Sequence, residues 1–525
     1  MLNKSSGTIP AMPFVLMDAV AVLLIALPWL WPFTWGPLPS VAPYLSGAAT
    51  AAVLLAYLPW RGARHAFALA ALGWALAATV SGGIALLQYF NLENWAWPWI
   101  NRSHAGYAFG NLRQPNLLAT HLVIGLLAAW WLARERKLPW PAAALAALMM
   151  LMGLAASASR TGTVEIAAVA LAMVGWAWRA DRPPAGWRVA AIALAAVLLY
   201  LLAGWLLPLV LGGTEGLDGR GLVSRWQHGE SVCGSRVVLW RDVLWLIARQ
   251  PLTGWGWGDL AWAHYNAPYE SHGLPRFCHI LDNAHNLPLH LAVTLGVPAA
   301  AMLCALVLWL IWRGRPWRET DPARQLAWGV LLVIGIHSLV EYPLWYAPFQ
   351  IAALLSVWLL WTTRRGAAAP AVTTDRQHPS YASYMSYVSC GVLALAALAY
   401  AGWDYWRISQ LFLAENERAP VFRAHTMVQA QRSWLFAAIV RFVDVTMRPA
   451  TPQNAAALLP EALRALHFSP ESRVIEKVIE SAALLGDEAV LTEQLARYRA
   501  AFPAEYRAWM ERTGITGPRA DDVGD

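Results

Sequence analysis

Apolar residues dominate the chain in long runs, broken by short polar connections, as far as about residue 406. The runs near 14–32, 41–60, 66–90, 115–133, 140–157, 162–178, 188–211, 287–312, 325–340, 344–361 and 387–406 each approach the roughly 20 residues that cross a bilayer as helix. They predict an all-α polytopic membrane protein with about eleven transmembrane helices. Several runs are Ala-rich, as close helix packing in lipid favours. Two stretches break the pattern. Residues 212–286 are polar and far longer than a helix connection needs, so a functional loop is expected there. Beyond 407 charges become frequent and apolar residues return at helical spacing, as in Val474, Val478, Ile479, Ala482 and Leu485. Pro470 and Pro503 open helix-like stretches there, at a separation close to the tetratricopeptide period. The expected organisation is helices 1–7 in 1–211, a large loop in 212–286, helices 8–11 in 287–406 and a helical-hairpin domain in 407–525.

The connections alternate in charge. Arg61 and Arg64, then Arg134, Arg136 and Lys137, then Arg179, Arg182 and Arg188, then Arg313, Arg315, Arg318 and Arg324, then Arg364, Arg365 and Arg376 make every second one basic. The positive-inside rule places these, with Lys4, in the cytoplasm. The connections 33–40, 91–114, 158–161, 212–286 and 341–343, and the tail, then face the other side. The start of the chain carries no small-residue cleavage site after its first apolar run, so no cleaved signal is expected.

Composition agrees with a membrane setting: 58% of residues are hydrophobic and only 14% charged, against roughly 25% charged in soluble domains. Many of the 32 Trp flank apolar runs, where an indole settles at the headgroup level. The net charge of +7 reports topology and calls for no nucleic acid. Of the four Cys, Cys304 and Cys390 fall in apolar runs. Cys233 and Cys278 share the polar loop, and in an oxidising compartment they can pair.

Four polar motifs fall at the outer ends of helices. Gly110–Asn116 ends in Gln114-Pro115-Asn116, a helix start with two amide side chains. Ser157–Gly162 holds Arg160 in a very short turn at the membrane, a costly placement. Gly234–Asp242 carries Arg236 and Arg241, whose guanidiniums suit phosphates. Val237, Trp240, Leu244 and Ile247 make it an amphipathic helix expected along the membrane surface, broken by Pro251 and the Gly254–Gly258 run. The fourth motif joins Asp282-Asn283-Ala284-His285-Asn286 with His337–Tyr346. His285 is a candidate general base. Glu341, at the lip of a span, calls for a cationic partner such as Arg160. Zinc-ligand spacing, a nucleotide-binding glycine loop and an Asp-rich metal motif are all missing from the sequence. Arginines are therefore expected to stabilise a departing phosphate.

Together, Gln114-Pro115-Asn116, Ser159-Arg160-Thr161-Gly162, Arg236 with Trp240, Pro251–Gly256, Ala284-His285-Asn286 and His337–Trp345 resemble the O-antigen ligase superfamily. The Gln-Pro-Asn and Glu-Tyr-Pro-Leu-Trp motifs resemble the bacterial protein O-oligosaccharyltransferases that glycosylate pilins. The resemblance covers roughly residues 10–410. It implies transfer of a glycan from undecaprenyl diphosphate to an acceptor hydroxyl at the periplasmic face of the inner membrane, with no cofactor or metal. His285 would then activate the acceptor, and Arg160 and Arg236 would hold the diphosphate. Gln114, Asn116, Arg241, Asn286, His337, Glu341 and Tyr342 would position the substrates. The acceptor is a pilin-like protein or, in the alternative, a lipid A–core sugar; a polymerase and a lipid-linked glycan transporter are further readings. A transporter is disfavoured because the spans read as continuous and the charged motifs gather at one face.

Overall fold

The computed structural model describes residues 12–180, 183–211, 235–269, 272–364 and 381–513. Most of the first third of the long loop, with Cys233, and also Lys4, Arg182, Arg365 and Arg376, lie outside the described residues. All regular structure among the described residues is helical. In chain order the helices are α1 Met12–Leu30, α2 Val41–Arg61, α3 Ala63–Tyr89, α4 Pro115–Arg134, α5 Trp140–Ser157, α6 Arg160–Ala180 and α7 Pro183–Val210. There follow α8 Arg236–Arg249, α9 Leu260–Asn266, α10 Leu287–Leu295, α11 Val297–Gly314, α12 Pro322–Ser338, α13 Ala347–Thr362 and α14 Tyr381–Ser409. The last seven are α15 Pro420–Arg423, α16 Thr426–Ala430, α17 Ala437–Met447, α18 Ala455–Phe468, α19 Ser472–Leu485, α20 Glu488–Ala501 and α21 Pro503–Thr513. Among them 8 helices are long and apolar enough to cross a membrane, and Val15–Leu30 and Ala347–Thr362 are shorter apolar helices. The chain is a polytopic membrane protein.

It divides into two compact units, Met1–Gly229 with Ile311–Tyr400 and Glu230–Leu310 with Ala401–Asp525. In the first unit α3 packs against α1, α4 and α5. The helices approach closely because their facing positions are small: a Cβ on Gly125 would lie 2.1 Å from that of Ala78. Proline at the first turn and a side-chain cap start several of these helices. Gln114 accepts from the Leu117 N–H at 2.6 Å ahead of Pro115, and Asp321 accepts from the Ala323 N–H at 3.0 Å ahead of Pro322. On the side expected to be cytoplasmic, Asp18 receives Arg61 at 2.6 Å and Tyr57 at 2.7 Å.

The second unit departs from the sequence expectation at the eighth span. A single helix was expected over 287–312, but the structure breaks it at Gly296, whose φ is 89°. The reason lies in the loop. The N–H groups of Trp255 and Gly256 donate to the carbonyls of Val293 and Thr294 at 2.8 and 3.0 Å, and Val297 donates to Pro251 O at 2.8 Å. Pro298 has no N–H to offer the Thr294 carbonyl, so a continuous helix would leave that group unpaired, and the Pro251–Gly256 segment satisfies it and the Val293 carbonyl instead. A Cβ on Gly296 would lie 2.1 Å from the carbonyl oxygen of Leu252, so only glycine lets the two backbones meet.

Helix α8 is apolar on two faces. The sequence points to Val237, Trp240, Leu244 and Ile247 as the stripe along the membrane surface. The structure buries Val238, Leu239, Val243 and Leu246 with Leu260, Ala263, Tyr269 and Val293 in the loop's own core, with Trp240 and Ile247 packed against it. Val237 and Leu244 are 75% and 54% exposed. Both faces of α8 are apolar, and local periodicity does not say which one meets a partner.

In the tail, α18 packs on α19 and α19 on α20. Val474, Val478, Ile479 and Ala482 are fully buried, whereas Leu485 is exposed at the helix end before Gly486. The tail also grips the loop within this unit. The Tyr265 hydroxyl donates to Gln494 Oε1 at 2.9 Å. His467 stacks on Trp262 at 4.2 Å between ring centres and binds Asp259 at 2.9 Å.

Candidate functional site

The candidate residues fall in both units. In the first, two of the polar motifs and the His337–Tyr346 half of the fourth meet at the ends of α4, α6 and α12. Asn116 is on the first turn of α4. Its Oδ1 accepts from the Ser159 hydroxyl at 2.7 Å, and its amide N–H donates to Glu341 Oε1 at 3.4 Å. Ser159 is fully buried and also caps α6, accepting from the Gly162 N–H at 3.1 Å. Ala158 before it turns the chain with φ 48°, which leaves Arg160 exposed as the first residue of α6. Glu341 is 4% exposed, and its own N–H donates to His337 O at 2.8 Å. Tyr342 stacks on Tyr346, with ring centres 6.0 Å apart. Gln114 is spent, through its carbonyl oxygen, on capping α4.

His337 lies deeper, with no exposed surface. Its Nδ1 is 2.5 Å from the Thr120 hydroxyl, which in turn lies 2.7 Å from Glu165 Oε1. Sequence reasoning missed Thr120 and Glu165. A signal for Glu165 exists: it is a carboxylate inside an apolar run, and an ionisable group within a span is a functional candidate by default. Thr120, one turn after Asn116 in an apolar stretch, carries no such signal.

In the second unit the loop presents His285 on a left-handed turn. Its φ is 49°, its N–H donates to Asn283 Oδ1 at 2.9 Å, and its side chain is half-exposed. A left-handed non-glycine residue costs on the order of 1–3 kcal/mol and persists where its surroundings impose it. The surroundings here are definite. Asn286 caps α10, accepting from Leu289 N–H at 3.0 Å. Trp240 Nε1 donates to Ala284 O at 3.1 Å, and Ala284 N–H donates to His290 Nδ1 at 3.4 Å. Burial, with His285 nearby, pushes the His290 imidazole down to about 4. His290 is a supporting residue that the sequence reading did not single out.

Of the loop arginines, Arg241 donates to Pro275 O at 2.7 Å and Arg236 begins α8. Beside them Asp242 is fully buried and accepts from the Phe277 N–H at 2.8 Å, with His264 Nε2 3.4 Å away. Arg276 donates to His264 O at 2.6 Å. These bonds hold residues 275–277, just before Cys278. Cys278 is in a disulfide, and Cys304 and Cys390 are free thiols.

The Gln-Pro-Asn segment lies within residues 108–133, which match a protein glycosylation ligase family. Residues 145–304, holding Arg160 and His285, match the family described as O-antigen ligase. These segments make the chain similar to the O-antigen ligase family over part of its length. Residues 325–513, which run into the tail, match the C-terminal part of a virulence factor membrane-bound polymerase family. A general O-oligosaccharyltransferase of Acinetobacter baylyi is 25% identical over 358 residues, which are 66% of this chain and 58% of the relative. The chain thus aligns with less than two thirds of that relative's length. It resembles both O-antigen ligases and protein O-oligosaccharyltransferases.

Proposed function

We propose that this protein is a glycosyltransferase of the protein O-oligosaccharyltransferase type. In this reading it moves a glycan en bloc from undecaprenyl diphosphate to Ser or Thr hydroxyls of periplasmic or pilin-like proteins. The observation that carries the reading is the similarity to the general O-oligosaccharyltransferase over 66% of the chain. The reading places the chain in the bacterial inner membrane with eleven spans. The loop, Arg160 and a TPR-like tail then face the periplasm, as the alternation of basic connections requires.

The chemistry assigned is a displacement at the anomeric carbon with inversion. His285 Nε2 or Nδ1 takes the proton of the acceptor hydroxyl as its oxygen bonds to that carbon. The bond from carbon to the diphosphate oxygen breaks, and the diphosphate leaves with the electron pair. Arg160 and Arg236 carry its negative charge. Asn116, Glu341, Tyr342, Arg241, Asn286 and Gln114 serve substrate positioning. The left-handed backbone at His285, held by Trp240 and Asn286, supports its role because it fixes the imidazole before substrate arrives.

A second reading, ligation to a lipid A–core sugar, is favoured by the match of residues 145–304 to the O-antigen ligase family. One experiment separates the two. The protein is expressed with a lipid-linked glycan in a strain lacking its own ligase, beside a pilin acceptor and bare lipid A–core. Glycan on the pilin is the expected result. Glycan on lipid A–core alone would replace the first reading with the second, and glycan on neither would remove both.

A further inference from the structure

The Thr120 hydroxyl has three polar neighbours: Asn116 O at 3.0 Å, Glu165 Oε1 at 2.7 Å and His337 Nδ1 at 2.5 Å. A hydroxyl donates one hydrogen bond and accepts two. The Asn116 carbonyl can only accept, so a carboxylate at Glu165 would leave two acceptors competing for the one Thr120 proton. All three contacts are hydrogen bonds at once only when Thr120 donates to Asn116 O, Glu165 donates from a protonated Oε1 and His337 donates from Nδ1.

The surroundings agree with this count. Thr120, Glu165 and His337 have no exposed surface. Glu165 Oε2 and His337 Nε2 have no hydrogen-bond partner among the described residues. An ionised carboxylate there would leave a charged oxygen buried without a donor, which is far more costly than a neutral acid. The alternative of a carboxylate paired with an imidazolium has its closest approach at only 3.8 Å, from His337 Nδ1 to Glu165 Oε1.

We propose that Thr120, Glu165 and His337 form a neutral buried keystone, with Glu165 held as the protonated acid, that positions the outward-facing Asn116 and Glu341. The connectivity gives the mechanism. Thr120 lies on α4 and fixes the Asn116 carbonyl one turn earlier. Glu165 lies on α6, five residues beyond Arg160. His337 ends α12, and its carbonyl accepts the Glu341 N–H at 2.8 Å. Asn116 then completes the frame through Ser159 at 2.7 Å and Glu341 at 3.4 Å. One hydroxyl thus sets the relative placement of three helix ends whose side chains the proposed transfer uses. This makes His337 a positioning residue, in place of the substrate contact that its motif suggests. The functional half of the inference rests on the proposed transfer reaction; the protonation half does not.

Two measurements on the full-length protein test it. The first is the infrared difference spectrum of wild type against Glu165→Gln at neutral pH, with no donor or acceptor present. Wild type should show the carbonyl stretch of a protonated carboxylic acid that the variant lacks. A carboxylate signal in its place overturns the neutral keystone. The second is glycan transfer. Glu165→Gln keeps a donor of the same shape and should retain activity within a few-fold. Thr120→Val should lower kcat on the order of 100-fold, as a misplacement of about 1 Å can, with KM for the donor little changed. Thr120→Ser, which restores the hydroxyl, should recover it and controls for folding. A Glu165→Gln variant as inactive as Thr120→Val, or a Thr120→Val variant of normal kcat, would overturn the positioning role. Should wild type transfer no glycan at all, the infrared result still decides the protonation state, so the two failures are distinguishable.

Discussion

Trp240 donates its indole N–H to the carbonyl of Ala284 at 3.1 Å, which ties helix α8 to the residue just before His285. The bond links two parts of the loop far apart in sequence and helps hold His285 in its left-handed turn, with φ 49°. Asparagine adopts that conformation readily but cannot serve as a base near neutral pH. His285→Asn should therefore fold with an unchanged melting temperature and lose transfer by 100-fold or more, on the scale of about 10²–10⁴ for a general base. Normal turnover in that variant would remove His285 from the chemistry.

Arg160 begins α6 at an exposed position. If it meets a diphosphate through its planar fork, lysine is a poor replacement, because an ammonium is only a point charge. Arg160→Lys should lose most transfer activity while its membrane insertion and stability stay as in wild type. Wild-type rates would assign Arg160 to snorkelling alone.

Gly296 has φ 89°, and a Cβ there would lie 2.1 Å from Leu252 O. Gly296→Ala therefore adds backbone strain of roughly 1–3 kcal/mol and forces the Pro251–Gly256 segment away. The expected outcome is a lower melting temperature and faster amide exchange at Trp255 and Gly256, which donate to Val293 and Thr294. A variant as stable as wild type would show that the break in the eighth span does not depend on this contact.

His290 is 5% exposed, and its Nδ1 accepts from the Ala284 N–H. Protonation at Nδ1 ends that bond. Its folded pKa is lowered from 6.5 to about 4. Between those values the unfolded chain binds a proton that the folded chain refuses. Its contribution is therefore complete above pH 6.5 and is lost as pH falls toward about 4, with a slope of at most about 1.4 kcal/mol per pH unit. Unfolding temperatures measured over that range should fall more steeply for wild type than for His290→Gln. Superimposable curves would mean that His290 titrates freely.

Cys278 follows Phe277, whose N–H is bound to buried Asp242. Its disulfide therefore closes onto a rigid part of the loop. Non-reducing peptide mapping should recover Cys278 joined to Cys233, and Cys278→Ser should cost about 2–4 kcal/mol of stability. Recovery of both loop cysteines as alkylated thiols contradicts the pairing.

The sequence by itself determined the helical membrane architecture and the order of the polar motifs. A bilayer permits few backbone solutions, so apolar length alone reads as helix, and α2 to α7 stand close to where the runs predict them. The helix start at Gln114-Pro115 was equally legible, because it is written within one turn, whereas the cap that Asn286 makes was not read from the sequence. Three features needed the tertiary structure. The eighth span breaks at Gly296, two residues before Pro298, where a segment some forty residues earlier satisfies the carbonyls of Val293 and Thr294; the glycine and proline are local, but that partner is not. Helix α8 buries its 238, 239, 243 and 246 face since both faces are apolar and only the surrounding core chooses between them. The outer motifs of the first unit share one anchor, Thr120. A hydroxyl in an apolar run looks the same in sequence whether it bonds its own helix or joins three of them, and only the packing of α4, α6 and α12 decides which.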